Sequence, residues 1–182
     1  MLQTPLCFET VNLYFQDESR FGLFTRNGKA LTALGVKPIC AFHQVFKSLY
    51  LFGAFSPVNG DSFLLEMPFC NADSFQLYLD EFSKQNPNEF KIIVLDNGAF
   101  HKAKALKIPD NIAFIFLPPY SPELNPAENM WARFKRSFTN KLFKTLDEVS
   151  DFIGEFTKKL TPQSIQTTCA FEYAVSGINW TK

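Results

Sequence analysis

Residues 91–97 read KIIVLDN, a run that is apolar on both faces before it ends in Asp96 and Asn97. Strands of this kind are covered on both sides of their sheet and take parallel neighbours. The run therefore predicts a central strand of an α/β fold, with Asp96 at its C-terminal end, where open α/β sheets place ligands. Upstream, ETVNLYF at residues 9–15 sets Val11, Leu13 and Phe15 against Asn12 and Tyr14. That is the period-two pattern of a strand with one buried face, closed here by Asp17 and Glu18. Residues 20–38 are rich in turn formers, with RNGK at 26–29 marking a hairpin or a loop. The stretch 47–67 places two apolar runs on either side of Pro57, Asn59 and Gly60, which predicts an antiparallel hairpin and, with the first strand, a three-strand meander.

The segment 71–87 predicts a helix capped by Asn71 or Asp73 and stopped by Pro87. After the central strand come a short helix around 100–107, a strand over NIAFIFL at 111–117, a helix opening at Asn125 and Pro126, and a last helix over about 146–160. The expected fold class is α/β: a mixed sheet, antiparallel meander plus parallel strands, flanked by helices. With 182 residues, 46% of them hydrophobic, residues 1–182 are expected to form a single domain. Phe is abundant at 22 residues, yet no apolar run approaches the roughly 18 residues of a membrane span. With no signal-peptide pattern either, the expectation is a soluble cytoplasmic protein. Cys7, Cys40, Cys70 and Cys169 are scattered and the chain has only two histidines, so neither a zinc site nor a disulfide framework is indicated and buried free thiols are expected. Eighteen basic residues balance eighteen acidic ones, which gives no global attraction to nucleic acid.

Three carboxylates stand out. Asp17 shares the face of Val11, Leu13 and Phe15, so it should point toward packed structure, where an ionised carboxylate needs a partner. Glu18 falls on the more polar face. Asp96 ends the central strand, and Glu128, the third residue after Asn125, lies on the first turn of a helix begun by Pro126. Brought to one sheet edge they would make a hard anionic cage suited to Mg²⁺ or Mn²⁺ rather than zinc. Each also has a plain structural account: Asp17 as a turn residue, Asp96 and Asn97 as a strand exit, Asn125 and Glu128 as a capping pair.

The surrounding text bears on the choice. VLDNGAFH at 94–101 and FLPPYSPELNPAENMWARFK at 116–135 closely resemble the catalytic region of DDE transposases, in the insertion-sequence branch of the Tc/mariner superfamily. YFQDESRF at 14–21 is similar to the segment carrying that family's first catalytic Asp. NLYFQ at 12–16 also matches an engineered protease site used to remove purification tags, but Val11 and Asp17 depart from that site and the resemblance reads the stretch as native sequence. The resemblance runs from about residue 9 to about residue 145. It implies a ribonuclease-H-like fold and assigns Asp17, Asp96 and Glu128 as the catalytic, metal-binding triad. Thirty-one residues separate Asp96 from Glu128, slightly fewer than is usual in the family. The N-terminal helix-turn-helix region of full-length members is expected to be absent, since only about ten residues precede the first strand.

Among secondary candidates, Asn97 either orients Asp96 or caps the next helix. His101 contacts DNA phosphate or a metal-bound water, or is a solvated residue at a helix start. Ala127, Met130, Trp131, Phe134 and Phe138 recur at helical spacing as a core stripe, so Trp131 is no base-stacking platform. Arg133, Lys135 and Arg136 occupy other faces and meet DNA phosphates or plain solvent. The implied function is the catalytic domain of a transposase performing DNA strand cleavage and strand transfer during transposition of an insertion sequence. Two Mg²⁺ (or Mn²⁺) ions, roughly 3.5–4 Å apart, would activate the nucleophile and stabilise the leaving oxygen, with Asp17 bridging them. The implied partners are DNA, as element ends and target, a separate helix-turn-helix subunit or upstream frame, and a second copy of the chain when assembled on DNA; binding to DNA would place it at the nucleoid, and no membrane is involved. The competing readings are an inactive remnant that holds DNA or another partner, and a different nuclease of the same fold.

Overall fold

The computed structural model describes residues 8–171 apart from residues 30, 38 and 40. Strands β1 (Thr10–Gly22), β2 (Ser48–Phe55), β3 (Ser62–Met67), β4 (Glu89–Leu95) and β5 (Ile112–Phe116) form one sheet in the order β3-β2-β1-β4-β5. The meander is present: β1 pairs with β2 and β2 with β3, both antiparallel. The KIIVLDN strand, β4, lies between β1 and β5 and runs parallel to both. Helices α1 (Ala72–Lys84), α2 (Ala127–Phe138), α3 (Leu146–Thr157) and α4 (Pro162–Cys169) cover the faces.

Each face has its own core. On one side, Phe15, Phe21, Leu51, Phe55 and Val94 pack against Met130, Trp131, Phe134 and Phe138 of α2, with Val149 and Ile153 of α3 and Ile165 of α4 behind. On the other, Tyr14, Phe52, Ala54, Ile93 and Leu95 pack against Phe75, Tyr78, Leu79 and Phe82 of α1. Met130, Trp131 and Phe134 are each no more than 1% exposed. Burying side chains of this size contributes about 1.5–3 kcal/mol apiece, which holds α2 against the sheet.

β1 departs from the expected strand with one buried face. It is the middle strand of the sheet, so Tyr14 and Gln16 on its second face are buried as fully as Phe15, and it does not close at Asp17 and Glu18 but runs on to Gly22 along β2. Two of the polar tips on that face are matched instead of solvated: Tyr14 donates its hydroxyl to Glu89 at 2.8 Å, and Asn12 donates to the same carboxylate at 3.1 Å.

Local signals explain most of the remaining ends. Asn71, not Asp73, caps α1, accepting from Ser74 N at 2.9 Å, and the chain leaves the helix through Asn86 in the left-handed region. The β2–β3 turn closes with Ser56 N on Asp61 O, and Gly60 has φ 78° with Pro162 so close that a Cβ would meet its carbonyl at 2.3 Å. Only glycine satisfies both demands. RNGK forms no hairpin: Gly28 N donates to Asn140 Oδ1, and Asn140 N to Arg26 O, which ties this loop to the end of α2. The helix expected near 100–107 is only a 3-10 turn over Ala99–Lys102, because Ala103 is already extended. The helix expected over 146–160 ends at Thr157, and α4 follows as a separate element, opened by a Thr161–Ser164 capping box with Pro162 in its first turn. Cys70 is a half-buried free thiol and Cys169 a buried one; Cys7 and Cys40 lie outside the described residues. No helix among the described residues is long and apolar enough to cross a membrane.

Candidate active site

β1 and β4 pair only as far as Phe15 and Val94. Beyond that point β1 continues along β2, β4 ends at Leu95, and a cleft of about 430 Å³ opens where the two strands part. Asp17 and Asp96 line it, and the loop Leu117–Pro122 walls it. Asn125 brings in the third carboxylate. Its side chain donates to Gln16 O at 3.0 Å and accepts from Ala127 N at 3.1 Å, so one buried amide pins the first turn of α2 to β1 beside Asp17. Glu128, on that turn, lines the same cleft; Glu123 is exposed and does not. Asp17, Asp96 and Glu128 thus meet at one opening, although among the described residues no three acidic, histidine or cysteine side chains close on a single metal-binding point.

The electrostatics are those of crowded anions. The Asp17 carboxyl is pushed up to about 8, first by burial and then by the charges of Glu18 and Glu128, with Asp96 adding less; a backbone hydrogen bond at Glu18 opposes the rise. The Cys70 thiol is pushed up to about 11, chiefly by burial and then by the charges of Glu18, Asp17 and Asp96. Asp96 goes the other way, held below the usual carboxylate range mainly by His101, against its own burial. Like charges that raise one another's pKa in this way are stabilised by a cation.

His101 is not a solvated residue at a helix start. It is 3% exposed, with Nε2 3.0 Å from Glu18 Oε1 and Nδ1 2.9 Å from Asp96 Oδ1. The second contact is a close ion pair bent away from the hydrogen-bond line. Burial alone would lower this imidazole, but the two carboxylates outweigh it and raise it to about 9. So placed, the ring has no access to a DNA phosphate. Glu18, read as a member of a polar face, also receives Gln16 Nε2 at 2.7 Å. A histidine five residues beyond Asp96 and an acid directly after Asp17 were the available signals, and only the sheet shows that they meet.

Other candidates fare differently. Asn97 neither orients Asp96 nor caps a helix; it donates to Leu117 O and accepts from Lys102 Nζ, joining the exits of β4 and β5. Arg133 is half-buried, and its guanidinium donates to Thr168 Oγ1 at 2.8 Å and Ser164 O at 3.2 Å, holding α4 to α2. Lys135 is half-buried and Arg136 exposed, neither lining the cleft. Trp131 is 1% exposed, as the core stripe predicts.

The family described as DDE superfamily endonuclease matches residues 12–150. The uncharacterized protein y4pE/y4sA of Sinorhizobium fredii (strain NBRC 101917 / NGR234) is 37% identical over 116 residues, 63% of this chain and 86% of that protein. Among solved structures, the Mos1 strand transfer complex is similar with a TM-score of 0.68 at 17% identity, over 87% of this chain and 50% of that one. The Mos1 mariner paired end complex with Mn is similar with a TM-score of 0.66 at 18% identity, over 87% of this chain and 51% of that one. The chain spans about half the length of these solved structures. At such identities the likeness is one of fold, and the fold is the expected ribonuclease-H-like sheet.

Proposed function

The chain belongs to the DDE superfamily endonuclease family, and on that premise we propose that it is the catalytic domain of an insertion-sequence transposase, cutting DNA strands and transferring them in a metal-dependent reaction. The observation that carries this reading is the meeting of Asp17, Asp96 and Glu128, from three separate elements, in one cleft. Their all-oxygen, mutually repelling donor set fits Mg²⁺ or Mn²⁺, and these three residues would hold the ion or ions. When bound, such ions activate a water or 3′-hydroxyl for attack and stabilise the leaving oxygen of an in-line displacement.

The chain's own groups do the rest. Burial and the neighbouring carboxylates favour the protonated form of Asp17, so holding a cation there would be coupled to release of a proton. Asp96 keeps Oδ1 on Gly98 N at 2.8 Å, which leaves Oδ2 as its oxygen without a partner among the described residues. Pro118 and Pro119 fix the φ angles of the wall opposite, so its shape is held before DNA arrives. Lys135 and Arg136 on α2 would contribute sequence-blind phosphate contacts.

DNA as the partner, and pairing of two copies upon it, are supported by the similar Mos1 structures, one of which is a paired-end complex with a left transposon end. We assign recognition of the element ends to a separate helix-turn-helix subunit or upstream frame. The test is nicking of duplex DNA bearing candidate element ends, with Mn²⁺ present. Mn²⁺-dependent nicking by the wild type and none by Asp96→Asn support the reading. Retained DNA binding without cleavage by either favours a remnant that only holds DNA.

A further inference from the structure

We infer that Glu18 and His101 are a positioning pair that sets the orientation of Asp96 from the far face of the sheet. The inference rests on Asp96 being a metal ligand, as proposed above. Glu18 follows Asp17 in β1, and successive strand residues point to opposite faces. Asp17 therefore serves the α2 side, while Glu18 faces the α1 side, where His101 lies against the rings of Phe75 and Phe100 at 4.6 and 4.1 Å. Gln16 Nε2, 2.7 Å from Glu18 Oε1, holds the glutamate; Glu18 holds His101 Nε2 at 3.0 Å; His101 Nδ1 reaches Asp96 Oδ1 at 2.9 Å.

Packing does not account for this string. A polar ring at 3% exposure among aromatic side chains carries a desolvation cost that an apolar residue of the same size would avoid. The backbone also makes room for it: a Cβ at Gly98 would lie 3.0 Å from both Asp96 Oδ1 and His101 Nδ1. With Gly98 N and His101 both on Oδ1, Asp96 has one oxygen fixed to the protein and the other left for the cleft. Partners that orient a ligand in this way are worth about 10- to 100-fold in metal affinity.

The test is calorimetric Mn²⁺ affinity of the full chain, with thermal melts in chelator to confirm that each variant folds. His101→Asn keeps an N–H near the Nδ1 position and the contact with Asp96; His101→Gln keeps one near Nε2 and loses it. The expected result is an affinity close to wild type for Asn and about tenfold weaker for Gln. Glu18→Gln retains an acceptor for His101 and should bind nearly as wild type, whereas Glu18→Ala should weaken binding about tenfold. Equal affinities for the Asn and Gln variants would make His101 a packing residue and overturn the inference. So would complete loss of binding in Glu18→Gln, which would make Glu18 a ligand. A wild type that binds no Mn²⁺ at all would instead sink the metal-site reading, and the inference with it.

Discussion

Asp17 stands directly across the β1–β2 ladder from Gly53, and the edge of the Trp131 ring fills the space that a side chain at Gly53 would take. A Cβ there would lie 2.7 Å from Trp131 Cη2 and 3.0 Å from Leu64 Cδ2 and Phe55 Cε2, so nothing nearby yields cheaply. Trp131 is three residues beyond Glu128 on the same helix, and residues at that spacing stack on one side of it. Displacing the indole is therefore expected to move the carboxylate. Gly53→Ala should cost about 1–3 kcal/mol by overpacking and weaken Mn²⁺ binding without removing a ligand. Denaturant melts and calorimetry check this; an unchanged Mn²⁺ affinity in the destabilised variant would show that α2 seats Glu128 independently of Gly53.

The raised Asp17 pKa makes a pH prediction with a definite sign. Its carboxyl titrates near 3.8 when unperturbed and near 8 when folded. Between those values the folded chain keeps a proton that the unfolded chain has released, so this group lowers stability as pH rises through the window, and the loss levels off above it. His101, raised to about 9 from 6.5, supplies stability that is present below 6.5 and lost as pH rises through 9, in wild type and variant alike. In chelator, Asp17→Asn should therefore gain on the wild type steadily from pH 5 to pH 8. Urea unfolding at several pH values measures the difference; a constant offset would take Asp17 out of the anionic cluster.

Arg133 and Arg136 lie three residues apart on α2 but should behave differently. Arg133 tethers α4 through two hydrogen bonds, and bonds to a charged group contribute about 1.5–3 kcal/mol in total. Arg133→Ala should lower stability by that order and leave Mn²⁺ affinity unchanged. Arg136 is exposed, so Arg136→Ala should leave the melt unchanged, weaken DNA binding for all sequences alike, and reduce the slope of affinity against salt by about one. Salt titrations of duplex binding separate the two, and a shifted melt with unaltered DNA affinity for Arg136→Ala would reverse their roles.

Periodicity carried the architecture because each strand and helix announces its buried face locally: KIIVLDN reads as central, and it is. Features that depend on which elements become neighbours were not legible in the same way. Tyr14 and Gln16 look solvated in a one-dimensional pattern and are buried only because β1 is the middle strand. Asp17, Asp96 and Glu128 are readable from motif and element ends, but His101 needs the knowledge that the acid following Asp17 crosses to the α1 face. The tether on Arg133 escapes the sequence for a similar reason, since α4 begins at Pro162, beyond the last helix that the periodicity predicts. The Thr161-Pro162-Gln163-Ser164 stretch was its signal: a capping residue, a proline in the first turn and a second hydroxyl at the third helical position.

Glu123 and Glu128 sit five residues apart in SPELNPAEN and differ only in how the chain holds them. Glu123 lies in a 3-10 turn, exposed and outside the cleft. Glu128 lies one residue into α2, whose first turn Asn125 fastens to Gln16 O beside Asp17, and its charge is felt there in the raised Asp17 pKa. Charge removed at Glu128 should therefore be read at Asp17, while charge removed at Glu123 should not. Glu128→Gln is expected to abolish Mn²⁺-dependent nicking and to lower the apparent Asp17 pKa in the metal-free protein, because one of the carboxylates that raised it is gone. Glu123→Gln should leave both unchanged. Nicking assays combined with carboxyl-carbon NMR titrations give the two readouts together. Full activity in Glu128→Gln with loss in Glu123→Gln would mean that the Pro-rich turn, not α2, delivers the third carboxylate.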